Sequence, residues 1–586
     1  MAALLLAGAA VPALGQQNQD VPESLLPPGF DEPATPAPQP APAATRAADA
    51  PRPADGATPI AGDPLSNVAA GEDAGDAEPV DLSRYELPAY AKHSLDRVGA
   101  VAAGATPFPA NGFGAADGRY LQALLRRLDA PIASRWAAIA LRRALMSPLD
   151  TPKNANGADF AADRAWVLLR MGEAVAARAV VNDVDADNYT TDLYQVAMQT
   201  ALATADPAAI CGVVDEGARI IQQRGWALAR AMCAGLAGKP SEAGQLLNQA
   251  RAGTSPSSID NLLAEKVMGA GAQGRRAVTI EWQAVPQLTA WRFGLATAAG
   301  EAIPGDLYAT AGPQVRYWQA LAPALPPAAR APAAELAASA GVFSSAGLID
   351  LYSEIAQDDD ADGKPEAETA RLLRQAYTAV GVDDRLGAIR SLWDAAKTPR
   401  TQYARSILTA RSASWIPPAA TVEQPERLIA SMLSAGMENA AMEWLPIVKR
   451  GSEGWALLML AQATPTGPVA YGDFDVFADV AGRRKAQLAL AGLAGLGRFE
   501  TPDAQRGARE LDVPVGAANS WTRAIDAAGE RGDAATVALL AAIGMQSSNW
   551  ERVTPEALFH IVAAMKAAGL GNYARMIAVE AVARAA

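Results

Sequence analysis

Apolar residues recur at helical spacing along most of this chain. The first clear instance is the segment RYLQALLRRL, where Leu121, Leu124, Leu125 and Leu128 fall at positions i, i+3, i+4 and i+7. This spacing places the four side chains on one face of an α-helix. Alanine, the strongest helix former, is abundant, and β-branched residues are sparse outside short runs. The pattern predicts an all-α fold.

From this helix to the C-terminus one unit repeats. A helix ends at a glycine, and a second helix follows with a small or apolar residue five positions after that glycine. The pairs are Gly172 with Ala177, Gly238 with Ala243, Gly436 with Ala441, Gly532 with Val537, and Gly569 with Ala574. The glycine supplies the left-handed conformation that ends the first helix, and a small residue lets the two helices approach closely. The sequence therefore predicts a series of antiparallel helical hairpins.

Tryptophan often opens the first helix of such a unit. The instances are Trp226, Trp455 and Trp521, which lie 11 or 12 residues before Gly238, Gly467 and Gly532. An early aromatic residue, a turn glycine and a small residue early in the second helix together resemble the tetratricopeptide repeat family. The resemblance covers about a third of the chain in scattered pieces, without the family's helix-A Gly and Tyr or its regular period of about 34 residues. It implies a degenerate α-solenoid with a concave surface that binds a protein or peptide, and it assigns no individual residue.

The acidity of the chain is concentrated before the helices begin. Twelve acidic and two basic residues lie between Gln16 and Asp81, so this segment carries −10 of the net charge of −13. It is rich in Pro and Ala, a composition that cannot bury enough apolar surface to offset the entropy of ordering. We expect a disordered tether that is either passive, a spacer across a cell-wall layer, or a ligand for a proline-binding groove. Neither part of the chain has a basic face for nucleic acid.

The first residues are typical of a secretory signal. Ala2–Leu14 is an apolar run too short to span a bilayer, and small residues precede Gln16. The basic residues that usually open a signal are missing, so the alternatives are a start further upstream or a buried helix. No cysteine follows the run for lipid attachment, and no later segment is long and apolar enough to span a membrane. The prediction is export, to the periplasm.

These observations divide the chain into five segments. We expect a signal peptide at 1–15, the acidic linker at 16–81, N-terminal helical repeats at 82–270, an irregular connection broken by prolines at 271–335, and C-terminal helical repeats at 336–586.

The two cysteines of the chain, Cys211 and Cys233, lie within one predicted hairpin. With a turn near residues 223–225, they are roughly equidistant from it on opposite helices, so their sulfur atoms can meet. In an exported protein this placement predicts a structural disulfide. The alternative is a pair of buried free thiols.

An acidic loop gives a candidate calcium site. Its candidate ligands are Asp358, Asp360, Asp362 and Glu366, which occupy the first, third, fifth and ninth positions of an EF-hand-like loop. The bidentate Glu of the twelfth position is replaced by Thr369, which weakens calcium binding. The alternative is a solvated loop whose carboxylates cap the helix that follows. No other cofactor is predicted.

Residues for catalysis are scarce. The chain has two histidines, His93 and His560, and no nucleophile-elbow, zinc-protease or phosphate-loop motif. We therefore expect a non-enzymatic scaffold that binds a protein, peptide or cell-envelope partner. The alternative is a glycan-acting enzyme or accessory subunit, since the helical chain also resembles the non-catalytic part of soluble lytic transglycosylases. Their Glu-Ser motif occurs here only as Glu23-Ser24, in the predicted tether.

Overall fold

The computed structural model describes residues 88–102, 104–251, 258–271 and 278–585, and its regular structure is almost entirely helical. The predicted all-α fold is confirmed. Thirteen helices form the first half of the described chain: α1 (Gly118–Arg127), α2 (Arg135–Met146), α3 (Gly157–Arg170), α4 (Ala174–Asn182), α5 (Thr191–Ala203), α6 (Val214–Ile220), α7 (Arg224–Leu236), α8 (Pro240–Ala250), α9 (Ile259–Gly271), α10 (Ala290–Ala298), α11 (Pro313–Leu321), α12 (Pro327–Ser339) and α13 (Ser345–Ile355).

A second set of thirteen helices follows: α14 (Pro365–Thr378), α15 (Val382–Ala395), α16 (Pro399–Ala413), α17 (Pro425–Ser434), α18 (Glu438–Met442), α19 (Glu453–Ala461), α20 (Tyr471–Ala481), α21 (Arg483–Gly495), α22 (Thr501–Glu510), α23 (Ser520–Arg531), α24 (Ala534–Gly544), α25 (Pro555–Ala567) and α26 (Gly571–Arg584). The strands of the described residues are β1 (Arg97–Val98) and β2 (Leu149–Asp150), which pair antiparallel with Arg97 opposite Asp150.

The five predicted glycine turns are present as expected. Each joins two helices that pack against each other, namely α3 with α4, α7 with α8, α17 with α18, α23 with α24, and α25 with α26. All five glycines have positive φ. The residue five positions later is at most 1% exposed in every hairpin. Gly467 differs, because α19 ends earlier, at Ala461, and Pro465 stands between that end and the glycine.

Glycine is required at position 172 for two reasons. Its φ of 88° is left-handed, and a Cβ built there would lie 2.5 Å from the Cβ of Tyr317 in α11. The turn between α3 and α4 therefore also makes a close contact with a helix distant in sequence. At Gly238, whose φ is 75°, the same added atom would meet nothing within 4 Å.

The helices do not pack only on their sequence neighbours. Helix α2 packs on α24 and α26, and α26 also packs on α17, α19, α21 and α25. Backbone hydrogen bonds run from Ala133 N to Met545 O and from Ala535 N to Gly112 O, each 2.8 Å long. In an open array of repeats each unit touches only its neighbours. Here the C-terminal hairpin instead packs against one of the first helices.

A buried carboxylate fixes this contact. Glu580 of α26 accepts hydrogen bonds from the Ser134 hydroxyl at 2.7 Å and from the backbone N–H groups of Arg135 and Trp136 at 3.0 and 3.3 Å. Arg584, one turn further along α26, pairs with the same carboxylate at 2.6 Å. Glu580 thus caps the N-terminus of α2, where a negative charge is favoured by the free N–H groups and the helix dipole.

The segment 271–335 is more regular than the sequence suggests. Its described part contains α10, α11 and most of α12. Pro313 and Pro327 each stand at the first residue of a helix, where the missing N–H costs nothing and the fixed φ suits the helix. These prolines therefore start helices instead of breaking them.

Residues 93–586 form one compact unit. Of residues 28–92, only 88–92 are described, and they contain a single 3-10 turn at Ala89–Ala91. The predicted signal peptide, the acidic linker and the Glu23-Ser24 motif lie outside the described residues. In the part of the chain that the structure describes, the helices are all too short or too polar to cross a membrane.

Candidate functional site

The predicted disulfide between Cys211 and Cys233 is confirmed, with the two Cα atoms 5.4 Å apart. Its surroundings differ from the expected hairpin. Cys211 follows a 3-10 helix at Pro207–Ile210, and the short helix α6 comes before α7, which carries Cys233. The bond therefore joins a turn to a helix. Nearby, Trp226 is 3% exposed and meets the ring of Tyr194 edge-on at 6.0 Å, so this region is packed as core.

The four candidate calcium ligands lie in and beside a short acidic turn. Asp358 accepts a hydrogen bond of 3.1 Å from the backbone N–H of Asp360, so it caps the 3-10 helix Asp359–Ala361. Glu366 lies in the first turn of α14, where a carboxylate complements the helix dipole. Among the described residues, no group of three or more His, Cys, Asp or Glu side chains is arranged to hold a metal ion. Calcium binding by Asp358, Asp360, Asp362 and Glu366 stays a prediction.

The two histidines lie far apart in the chain and have different partners. His560 in α25 is 6% exposed, and its Nδ1 lies 2.9 Å from both carboxylate oxygens of Asp526. The more exposed His93 lies 3.2 Å from a carboxylate oxygen of Asp185. Each histidine thus contacts a carboxylate from a different part of the chain and helps to hold the two parts together.

An apolar surface with convergent charges forms a groove along α13. Two cavities, of about 480 and about 580 Å³, share Ala346, Ile349 and Arg411 in their walls and therefore adjoin each other. Helices α13, α14 and α16 line one of them, and α2 contributes to the other. We call this combined surface the α13 groove. Each of its cavities has the size of typical ligand-binding clefts, roughly 300–1,000 Å³.

Aromatic side chains form part of the floor of the α13 groove. Tyr377 of α14 and Trp415, just beyond α16, meet edge-to-face with their ring centroids 5.1 Å apart. Trp415 remains 49% exposed, and Phe343 and Ile349 extend the apolar lining. Burial raises the pKa of Tyr377 to about 12, with Arg411 acting in the opposite direction. An exposed Trp beside a Tyr is unusual on a surface without a partner.

The charge of the α13 groove is positive although the chain as a whole is acidic. Among the described residues, the guanidinium groups of Arg374 and Arg411 have no hydrogen-bond or carboxylate partner, and both side chains are exposed. Arg143 donates to the hydroxyl of Tyr573, and no carboxylate of the described residues pairs with it. Asp350 is the one acidic residue in the lining.

Two further arginines of the lining are already neutralised or engaged. Arg142 pairs with Glu173 at 2.8 Å. Arg135 is 5% exposed and donates to the backbone carbonyls of Ala338 and Ser434. The groove therefore offers a ligand three available cations, those of Arg143, Arg374 and Arg411, against one carboxylate.

Another cavity, of about 550 Å³, lies beside α26 and is separate from the α13 groove. We call it the α26 cavity. Its lining gathers carboxylates, arginines and aromatic residues from helices far apart in sequence, including Trp393, Tyr403, Glu426, Glu453, Arg484, Trp550 and Arg584.

Most of the charged and aromatic side chains around the α26 cavity already contact a partner within the protein. The guanidinium of Arg427 covers the ring of Trp393 at 4.7 Å, and that of Arg584 covers the ring of Tyr403 at 4.5 Å. Lys485 holds both oxygens of Glu453 at 2.9 Å.

One carboxylate of this lining remains available. Among the described residues, Glu426 has no hydrogen-bond or ion-pair partner. The α26 cavity thus presents a free acid, while two of its aromatic faces are covered.

Neither site was identified from the sequence. Arg374 and Tyr377 are spaced i, i+3 in α14 and share one helical face, whereas Trp415 follows Arg411 by four residues and lies just beyond the end of α16. That spacing was a usable signal, but only packing shows that the two faces meet in one groove. Comparison of the chain with models of protein families, with curated proteins and with solved structures found no match.

Proposed function

We propose that this protein is a non-enzymatic helical-repeat scaffold that binds a protein or peptide partner in the α13 groove. Support comes from the exposed Trp415 with the half-buried Tyr377, beside two arginines that have no partner among the described residues. Tryptophan, tyrosine and arginine dominate the binding energy of protein interfaces, and they do so where they line a pocket. The glycine hairpins, as degenerate tetratricopeptide-like repeats, provide the rigid support for this surface.

A photo-crosslinking residue at position 415 tests the proposal in cells. Val480 of α20 is the matched control position, since it is 76% exposed and lies outside the groove. We expect a discrete crosslinked partner from position 415 and none from position 480. The partner is then purified, and its binding to the native protein and to the Trp415→Ala variant is measured.

Loss of a central tryptophan at an interface costs about 2 kcal/mol or more, which corresponds to a reduction in affinity of roughly 30-fold. Identical crosslinks from positions 415 and 480, or unchanged affinity of the Trp415→Ala variant, would show that the groove is not the binding surface.

We also propose that the protein acts outside the cytoplasm, as the apolar N-terminal run suggests. The disulfide supports this location, because such bonds persist in oxidising compartments. Cell fractionation with thiol labelling tests it. The protein is expected in the periplasmic fraction, unreactive to maleimide until it is reduced. Recovery in the cytoplasm with two reactive thiols would contradict the proposal.

The alternative function is cleavage of a cell-wall glycan in the α26 cavity. The observation that favours it is the free carboxylate of Glu426 among Tyr403 and Trp550. A zymogram on purified cell wall tests this alternative. Clearing by the native protein that is lost in the Glu426→Gln variant would support an enzyme. Absence of clearing by the native protein is the result that the scaffold function predicts.

A further inference from the structure

We infer that the ligand of the α13 groove is an acidic amphipathic α-helix. This inference rests on the proposed function, because it specifies the partner of the same groove. Three features of the groove support it, namely an apolar floor, walls made of helices, and an excess of arginines without a carboxylate partner among the described residues.

The apolar floor selects for an amphipathic ligand. Ile349, Phe343, Tyr377 and Trp415 form a lining in which aromatic and aliphatic groups are only partly covered by the chain itself. Burying this surface against apolar side chains is favourable in proportion to the area removed from water. A wholly polar ligand would leave that gain unused, so one face of the ligand must be apolar.

The walls determine the backbone of the ligand. In the described residues, the groove is lined by helices α2, α13, α14 and α16 with their adjoining turns, by the end of α11 and by the turn between α17 and α18, and no strand residue lines it. The helices satisfy their own backbone hydrogen bonds, so an extended peptide could not add to them as a strand. A helical ligand satisfies its own backbone groups and can bury its side chains without leaving polar atoms unpaired.

The length of α13 sets the length of the proposed ligand. Helix α13 has 11 residues and is therefore about 16 Å long. A ligand of about three to four turns would run along it and present apolar residues at positions i, i+3, i+4 and i+7.

The charge determines the flanks of the ligand. Arg374 and Arg411 line the groove and have no carboxylate partner among the described residues, and Arg143 adds a third cation against Asp350, the single acidic residue of that lining. Glutamates flanking the apolar face of the ligand would pair with them, whereas lysines would be repelled. Because these arginines are exposed, the attraction is screened by salt and acts more on association rate and specificity than on total affinity.

Two designed peptides test the inference on the full-length protein. Both carry the same leucine face over about four helical turns, and one has glutamate on both flanks where the other has lysine. Binding is measured by fluorescence anisotropy at low and high salt. We expect the glutamate peptide to bind at least about tenfold more tightly at low salt, with the difference shrinking as salt rises.

Charge reversal provides the decisive control. In the variant carrying both Arg374→Glu and Arg411→Glu, the preference should invert towards the lysine peptide, while Trp415→Ala should weaken both peptides. Arg127→Glu, at an exposed arginine of α1 outside the groove, should change nothing. Circular dichroism confirms that each variant is folded.

Equal binding of the two peptides, a preference unaffected by charge reversal, or no saturable binding of either peptide would overturn the inference. The crosslinking experiment separates this result from failure of the proposed function. A partner crosslinked at position 415 together with indifference to the peptides would leave the scaffold function intact and reject the acidic helix as its ligand.

Discussion

Replacement of Glu580 by glutamine is expected to loosen the contact between α2 and α26. The native carboxylate is 2% exposed and accepts from Ser134, from the N–H groups of Arg135 and Trp136, and from Arg584. A glutamine has one acceptor oxygen and turns its NH₂ group, a donor, towards groups that are themselves donors. It also leaves Arg584, whose side chain is 14% exposed, without its counter-charge.

The size of the effect follows from these losses. Hydrogen bonds to a charged group contribute about 1.5–3 kcal/mol each, although such values are not additive within one network. Breaking one side of a buried ion pair costs about 3–5 kcal/mol, because the other charge remains buried without compensation. We therefore expect the Glu580→Gln variant to lose about 3–5 kcal/mol in the free energy of unfolding of the unit that contains α2 and α26.

Urea unfolding followed by circular dichroism, together with limited proteolysis, measures the loss. Glu530→Gln is the matched control, since Glu530 is exposed and has no partner among the described residues. A surface change of this kind is expected to stay within about 0.5 kcal/mol. We expect limited proteolysis to cleave the Glu580→Gln variant early, where α2 and the C-terminal hairpin separate from each other. The Glu530→Gln control should not show this early cleavage. If Glu580→Gln is no less stable than the control, the carboxylate does not hold the two ends together.

Three further predictions concern stability. Reducing the bond between Cys211 and Cys233, which are 22 residues apart, should lower the free energy of unfolding by about 3 kcal/mol in urea titrations, and an unchanged midpoint would refute this. The Gly172→Ala variant should lose about 1–3 kcal/mol more in the free energy of unfolding than the Gly238→Ala variant. Both substitutions strain a left-handed residue, but only the alanine at position 172 meets a neighbouring side chain. Equal losses would contradict that contact. Burial raises the pKa of Glu173 to about 7, although Arg142 acts in the opposite direction. The folded state therefore favours the protonated carboxyl, and the stability that this contributes is present at low pH and is lost as pH rises from about 4.5 to about 7. Glu173→Gln should flatten the curve of unfolding midpoint against pH over that window, and a curve parallel to that of the native protein would reject the shifted pKa.

Local features of the chain could be predicted from the sequence because they depend on residues close together in the chain. The helical spacing of apolar residues, the glycine turns and the small residue after each turn all follow from backbone conformation and close approach within one hairpin. The disulfide was predicted for the same reason, since its two cysteines are only 22 residues apart in the chain. The prolines at 313 and 327 start helices, a role that the sequence alone does not reveal, because a proline that starts a helix and one that ends a helix look alike without their flanking dihedral angles.

Long-range pairing was decided only by tertiary structure. Nothing in the residues around Glu580 indicates that it caps a helix 445 residues earlier in the chain, since the partner N–H groups are present at the start of every helix. The α13 groove likewise depends on α14 and α16 turning the faces of Arg374 and Arg411 towards each other. The sequence by itself determined the helices with clear apolar spacing and the glycine turns between neighbouring helices, because those are local properties. The tertiary structure decided which distant faces meet, and with them where the aromatic and cationic surface of the α13 groove lies.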